Sequence, residues 1–308
     1  METILAHIRI TNNFMAKKHI TFAIAYDFDG TLAKGNIQEN SFIPDLGIKK
    51  SDFWNEVKKL TEENEMDQIL AYMFLLISKA KNHGGIKFDR DSLKRHGKDV
   101  SYFDGVEDYF RRINEYARTK QIKLEHYIIS SGTKEMIEGT TIAKHFKTIY
   151  ASSFKYDQHD VPEWPAIALN YTTKTQFLFR INKGIDNAWD NSKINAYVPQ
   201  EERPVPFERI IYIGDGLTDV PAMKLVKDQG GTSIGVYAPK SKKKSEVEKL
   251  LDEKRVSYVA LANYSEGSEL DLIIKAVLDQ ASAKASIEAY AHSFLPKDHN
   301  QSKGGSHV

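Results

Sequence analysis

Cysteine is absent from the 308 residues. Disulfide staples, thiolate zinc sites and cysteine nucleophiles are therefore excluded. Net charge is nearly absent too: 43 basic against 42 acidic side chains leave a formal +1. With acids and bases mixed along the chain, it carries neither a nucleic-acid footprint nor a polybasic membrane anchor. No apolar stretch approaches the ~20 residues that a membrane-spanning helix needs. The amino terminus lacks a signal-peptide pattern. The ten histidines are scattered, and none forms an HxxxH pair enclosing a glutamate, so a histidine-based metal site is not expected. The expectation is a cytoplasmic chain with no nucleic-acid or membrane partner, and the sequence sets no oligomeric state.

What is present points to a folded enzyme-sized chain. Hydrophobic residues make up 41%, enough for a sizeable core in one large domain or in a core with a smaller attachment. Met15 begins a second plausible start, which makes residues 1–14 a loosely attached extension. The dense basic run Lys240-Ser241-Lys242-Lys243-Lys244 reads as a solvated loop, because glutamates follow at once and no aromatic residue is interleaved.

Short apolar runs alternate with helix-like segments. Ile20–Tyr26, Leu124–Ile129 and Glu208–Ile213 read as strands buried on both faces. Thr148–Ala151 and Ala166–Asn170 read as short strands joined by a Pro-containing loop, and Thr232–Tyr237 and Ser257–Leu261 as further strands. Helical patterns cover about 51–82, the stretch after Asp104-Gly105, Lys134 to about Lys144, Lys174–Asn182 and Glu269–Asp279, and the last dozen residues look frayed. Thr218 reads as an N-cap, with Pro221 in the first turn that follows. The alternation predicts an α/β fold, a Rossmann-like parallel sheet with helices on both faces. Residues 34–102 break that rhythm and are mostly helical. They are expected to form a cap inserted after the first strand, with 1–33 and 103–308 forming the core.

Three of the strands end in polar clusters: Asp27 and Asp29 in YDFDGTLA, Ser130-Ser131-Gly132-Thr133, and Gly214-Asp215-Gly216. Ligands of open α/β sheets bind beyond the carboxyl ends of the strands. If the three strands are neighbours, their clusters share one rim. Two carboxylates one residue apart at the end of a buried strand repel each other, unless a positive charge sits beside them. Asp29-Gly30 alone would be an ordinary turn signal, but the company it keeps favours a cation site with a working carboxylate.

Asp27-Phe28-Asp29-Gly30-Thr31, Ser130 at a strand end, a later lysine and Gly214-Asp215-Gly216-Leu217-Thr218-Asp219 together resemble the four signature motifs of the haloacid dehalogenase-like superfamily. The position of the insert and the Ile-Ser-Ser-Gly pattern are most similar to its phosphoserine phosphatase-like branch. The resemblance covers about 20–33 and 103–265. It implies a Mg²⁺-dependent phosphatase for a small phosphomonoester. Asp27 would be the nucleophile, passing through an aspartyl-phosphate, and Asp29 the general acid and base. Mg²⁺ would be held by Asp27, Asp29 and Asp215, with Asp219 supporting from behind. Gly30, Ser130, Gly132 and a lysine would receive the phosphoryl group. The resemblance prefers Ser130 to Ser131 and Lys174 to Lys183, without closing either choice.

The carboxylate set separates reaction types. A dehalogenase needs neither Asp29 nor the metal site, and a P-type pump needs membrane helices. A phosphomutase or phosphotransferase on the same site, or a catalytically silent binding protein, stays open beside the phosphatase. Phosphoserine phosphatases carry an amine-binding glutamate nine residues after the nucleophile, where this chain has Asn36. The stretch from about 145 to 172, with Trp164 and Tyr171, is also longer than in that branch. The substrate itself is therefore not specified. Aromatics of the insert (Phe42, Phe53, Trp54, Tyr72 and Phe74) could line a pocket, although such a stripe usually belongs to a core.

Overall fold

The computed structural model describes residues 19–85, 87–241 and 243–293. The extension read at 1–14 and the fraying read for the last dozen residues lie outside the described residues. Seven strands are present: β1 (Ile20–Tyr26), β2 (Ile122–Thr133), β3 (Thr148–Tyr156), β4 (Pro162–Ile167), β5 (Ile210–Gly214), β6 (Thr232–Tyr237) and β7 (Tyr258–Leu261). They form one sheet in the order β4-β3-β2-β1-β5-β6-β7. The three strands with polar ends, β2, β1 and β5, are thus neighbours and share one rim.

Every pairing is parallel except β3 with β4, which is antiparallel. The parallel α/β sheet expected from the sequence is thus present, with one antiparallel pair at its edge. The reason is local. Asp157 Oδ1 accepts the N–H groups of His159 and Val161, at 2.8 and 2.9 Å, and folds the chain back at once. A connection this short permits only an antiparallel return. Pro162 and Pro165 fall on β4, an edge strand, where a missing N–H is tolerated.

The period-2 geometry of β1 divides the core. Phe22, Ile24 and Tyr26 face one layer, together with the apolar side of helix Val106–Thr119 and of helix Glu269–Ser293. Ala23 and Ala25 face the other, against helices Thr173–Lys183 and Val220–Asp228. In that layer Ala23 and Ala25 share a cluster with Phe177, Leu178 and Ile181 of the helix that carries Lys174. The first layer also buries a polar chain: Asn114 donates to His126 Nε2 (3.1 Å), and Nδ1 lies 3.0 Å from the Tyr26 hydroxyl, which donates onward to Tyr109 (3.4 Å). With Nε2 accepting, the network assigns the proton of neutral His126 to Nδ1.

Between β1 and helix Val106–Thr119 the described chain contains helices Phe42–Asp45, Lys50–Asn64, Gln68–His83 and Arg90–Arg95, and no strand of the sheet. Asp67 caps the third of these by accepting from the N–H groups of Ile69 and Leu70, and Gly84 ends it at φ +64. The insert does not stand apart. Phe42, Phe53, Val57, Tyr72 and Leu76 belong to the same apolar cluster as Phe22 and Ile24. Its two ends are stitched by Lys34 N–H to Ser101 (2.7 Å) and Phe103 N–H to Leu32 (3.0 Å). Near its exit the backbone presses against helix Lys134–Glu138. A Cβ on Gly97 would lie 1.9 Å from the Met136 carbonyl oxygen, and one on Gly139 1.8 Å from that of Lys94.

Three helix boundaries differ from those read in the sequence. The helix after β2 stops at Glu138, because Thr140 turns its hydroxyl onto the Ile137 carbonyl (2.7 Å). Thr218 is not an N-cap. It sits in a 3₁₀ turn, Leu217–Asp219, and the helix begins at Val220 with Pro221 in its first turn. That turn is held by Asp219, which accepts the Gly216 N–H (3.4 Å). Helix Glu269–Ser293 runs past Asp279, through an alanine-rich stretch of high helix propensity.

Candidate active site

Asp27 continues the β1 ladder by one residue, its N–H donating to the Ile213 carbonyl at 2.9 Å. The chain then closes a tight loop in which the N–H groups of Leu32 and Ala33 share the Phe28 carbonyl and Gly30 N–H meets the Ala33 carbonyl. Gly30 has φ +78, and a Cβ there would lie 2.3 Å from Asp215 Oδ2. Only glycine serves, both for the backbone angle and for the approach of the second strand end. Asp29 is turned into the cleft and fixed by the Ile37 N–H, which donates to its Oδ1 at 2.8 Å. Its Oδ2 faces Gly132, whose added Cβ would come within 2.9 Å.

At the end of β2, Ser130 is fully buried, and its Oγ accepts the Gly132 N–H at 3.0 Å. Its hydroxyl proton stays free to donate into the cleft. Ser131 also lines the cleft, but its carbonyl is engaged by the Tyr72 hydroxyl at 2.6 Å. Lys174, in the first turn of helix Thr173–Lys183, is 1% exposed. Its Nζ lies 3.0 Å from Asp27 Oδ1 and 2.7 Å from Asp219 Oδ1. Lys183, the other lysine singled out, instead donates to the carbonyls of Ile194 and Ala196. Asp219 is fully buried and accepts a further bond from the Tyr212 hydroxyl (2.7 Å), so it is committed to holding Lys174 and its own turn.

The groups that sequence reasoning missed are Tyr212 and Lys243. Tyr212 reads as an ordinary strand residue. Lys243 belongs to the basic run expected to be a solvated loop, yet its Nζ lies 2.8 Å from Asp215 Oδ2. The signal was topological. The run follows β6, the strand beside β5, so its loop emerges on the same rim.

Burial dominates the electrostatics. Burial, opposed by Lys174 and reinforced by the Asp219 and Asp215 charges, raises the Asp27 carboxyl to about 7. Burial, then the Asp27 charge, hold Asp29 well above the usual carboxylate range. Asp215 is raised by burial and by Asp219, against the pull of Lys243. Burial works against the Lys174 ammonium, but Asp219 and Asp27 overcome it and raise its pKa. Crowded carboxyls that resist ionisation mark a site short of positive charge.

A divalent cation would supply that charge. Asp27, Asp215 and Asp219 each offer a carboxylate oxygen, and these oxygens lie within 4.8 Å of one another. The all-oxygen donor set suits a hard ion such as Mg²⁺, and the missing Cβ of Gly30 opens the cradle beside Asp215. Because Asp219 is occupied by Lys174 and Tyr212, Asp27 and Asp215 are the side chains best placed to ligate.

The cluster floors a cleft of about 990 Å³. The opposite wall comes from the insert, with Asn36, Glu39, Trp54, Ile69 and Tyr72. Glu39 is already tied, accepting from Asn36 (2.6 Å) and from the Trp54 ring N–H (2.7 Å). Of the other aromatics expected there, Phe42 and Phe53 are buried in the core, and Phe74 is 46% exposed outside the cleft lining. Among the described residues, no helix is long and apolar enough to cross a membrane.

A protein of Borreliella burgdorferi, described as an uncharacterized protein, is 29% identical over 284 residues, covering 83% of this chain and 96% of that one. A probable phosphoserine phosphatase from Vibrio cholerae, in unliganded form, matches with a TM-score of 0.52 at 12% identity, over 89% of this chain and 69% of that one. A phosphoserine phosphatase in apo form matches at 0.50 and 15%, over 83% and 98%. At such identities the structural likeness speaks for the fold. The family model described as haloacid dehalogenase-like hydrolase matches residues 24–224, well over half the chain. The chain therefore belongs to the haloacid dehalogenase-like hydrolases.

Proposed function

We propose that this hydrolase is a phosphatase that cleaves a small phosphomonoester through an aspartyl-phosphate on Asp27. One observation carries the reading: the Asp27 carboxylate lies on the floor of a cleft, with Lys174 on one oxygen and Asp29, Ser130 and Asp215 around it. Lys174 engages Oδ1, which leaves Oδ2 for in-line attack on phosphorus. The Ser130 hydroxyl and Lys174 then take up charge on the phosphoryl oxygens.

Asp29 supplies the proton. Burial and the neighbouring Asp27 charge raise its pKa and so favour the protonated form that a general acid needs, and the bond from Ile37 N–H orients it. As the ester P–O bond breaks, the Asp29 proton passes to the leaving alkoxide. In the second half, Asp29 takes a proton from water as the water oxygen attacks phosphorus. The bond to Asp27 then breaks, and inorganic phosphate forms. Asp27 and Asp215 would hold Mg²⁺, with the main-chain carbonyl of Asp29 beside them. Bound there, the ion would neutralise charge on the phosphoryl oxygens. The helices of 34–102 act as a cap that covers the leaving group and keeps bulk water out.

The test is release of p-nitrophenol from p-nitrophenyl phosphate with Mg²⁺, with EDTA, and by Asp27→Asn. Metal-dependent release that is lost in the variant is expected. No release from the wild type, on this or any phosphomonoester of a panel, would overturn the phosphatase reading.

A further inference from the structure

The cluster holds two ammoniums that differ in freedom. Lys174 is 1% exposed and bonded to both Asp27 and Asp219, so it cannot leave without stranding two buried charges. The Lys243 side chain is 56% exposed and bonded only to Asp215 Oδ2, among the contacts of the described residues. It reaches in from the start of helix Lys243–Asp252 and can withdraw into solvent at little cost. Asp215 is 9% exposed and lies beside Asp219, and Lys243 is the hydrogen-bond donor it has among the described residues.

We propose that Lys243 is a tethered counter-ion that occupies Asp215 in the metal-free protein and yields it to a divalent cation. Lys243 thereby sets how tightly that cation is held. This rests on the reading that Asp27 and Asp215 form the cation site. A single charge near the surface neutralises one carboxylate. A divalent ion neutralises two and, on binding, releases Lys243 to water. The Lys243 ion pair offsets one of the charges crowded on the rim. The cost is a weaker metal affinity, because each binding event must first break the 2.8 Å ion pair. Lys243 is thus a positioning residue for Asp215.

The experiment is calorimetric titration of the metal-free protein with Mg²⁺, compared across wild type, Lys243→Met, Lys243→Arg and Lys244→Met. Lys244 carries the same charge one residue on but pairs with Glu248 at 3.5 Å, away from the rim. Lys243→Met is expected to bind Mg²⁺ about tenfold more tightly than wild type, the scale of one half-exposed charge contact. Lys243→Arg and Lys244→Met should stay within about threefold of wild type on the same scale. Equal or weaker binding by Lys243→Met would overturn the role of Lys243 and leave the cation site standing. A tightening shared by Lys244→Met would also overturn it, since net charge alone would then account for the effect. No Mg²⁺ binding by any of the proteins would overturn the cation site, and the inference with it. Because binding is read directly, these outcomes do not depend on whether a phosphatase substrate is in hand.

Discussion

The two sides of the cleft are built on different principles. The floor comes from loops that leave neighbouring strands, and its charged side chains are tied to one another or to the backbone: Lys174 to Asp27 and Asp219, Asp29 to the Ile37 N–H, and Asp215 to Lys243. The wall comes from helices of the insert. Its one facing carboxylate, Glu39, is engaged by Asn36 and Trp54 and has Lys50 3.7 Å away. The floor thus holds unbalanced charge and the wall balanced charge. In the proposed reaction the floor carries the chemistry, and the wall, a separate piece of chain, faces the leaving group.

Substitutions graded from floor to wall test this division. Asp27→Asn is expected to lower turnover by at least about 10⁴-fold, the scale seen when a nucleophile is removed. Circular dichroism should show an unchanged fold, because Lys174 keeps Asp219. Asp29→Asn should lower it by ~10²–10⁴-fold, the range of general acid–base catalysis. A loss below tenfold would take Asp29 out of the proton-transfer role.

Gly30→Ala tests the floor by packing. The new Cβ would meet Asp215 Oδ2 at 2.3 Å in a residue held at φ +78. A loss of about 1–2 kcal/mol by chemical denaturation is expected from the backbone strain alone, together with weakened Mg²⁺ binding.

A control on the sheet itself uses pH. His126 is held neutral, its pKa lowered to about 3, chiefly by burial and then by the His145 charge. Its folded pKa lies below its unfolded one. Its contribution is therefore complete above about pH 6.5 and is lost as pH falls from there towards 3, by at most about 1.4 kcal/mol per pH unit. Denaturation midpoints should fall across that window, and His126→Gln should flatten the dependence. The smallest effect is expected at the wall. Glu39→Gln should change p-nitrophenyl phosphate turnover by less than about tenfold, because the residue lies outside the proton-transfer and nucleophilic steps. A larger loss would erase the distinction between floor and wall.

Much of the floor could be read in the sequence, because it lies where apolar runs stop. Asp27, Ser130 and Asp215 each follow an apolar run (residues 22–26, 127–129 and 210–213), and polar groups at such ends are conspicuous. The α/β layering was legible for the same reason. Lys243 was not, because a lysine run announces only charge. Its partner is chosen by the adjacency of β5 and β6, which spans a long crossover in the chain. The reversal at β4 was hidden in the side chain of Asp157, a single hydrogen-bonding choice inside a loop. Thr218 misled because a threonine before a proline matches the capping pattern, while Asp219 supplies a competing local bond to Gly216. The wall was legible only as helix. Which helical residues face the cleft depends on docking angles that periodicity does not contain.

Where Gly97 meets Met136 and Gly139 meets Lys94, main chain touches main chain with no side chain between them. Such a joint has no rotamers to flip and no soft methylenes to shear. It behaves as a rivet. The exit of the insert is fastened to the helix that follows β2, close to Ser130, and the Tyr72 hydroxyl bond to Ser131 pins the insert a second time. Asn170 ties Asp67, the cap of helix Gln68–His83, to the core as well. The part of the insert that faces Ser130 and Ser131 is therefore the part fastened to the core, so the phosphoryl end of the cleft is walled by its anchored side.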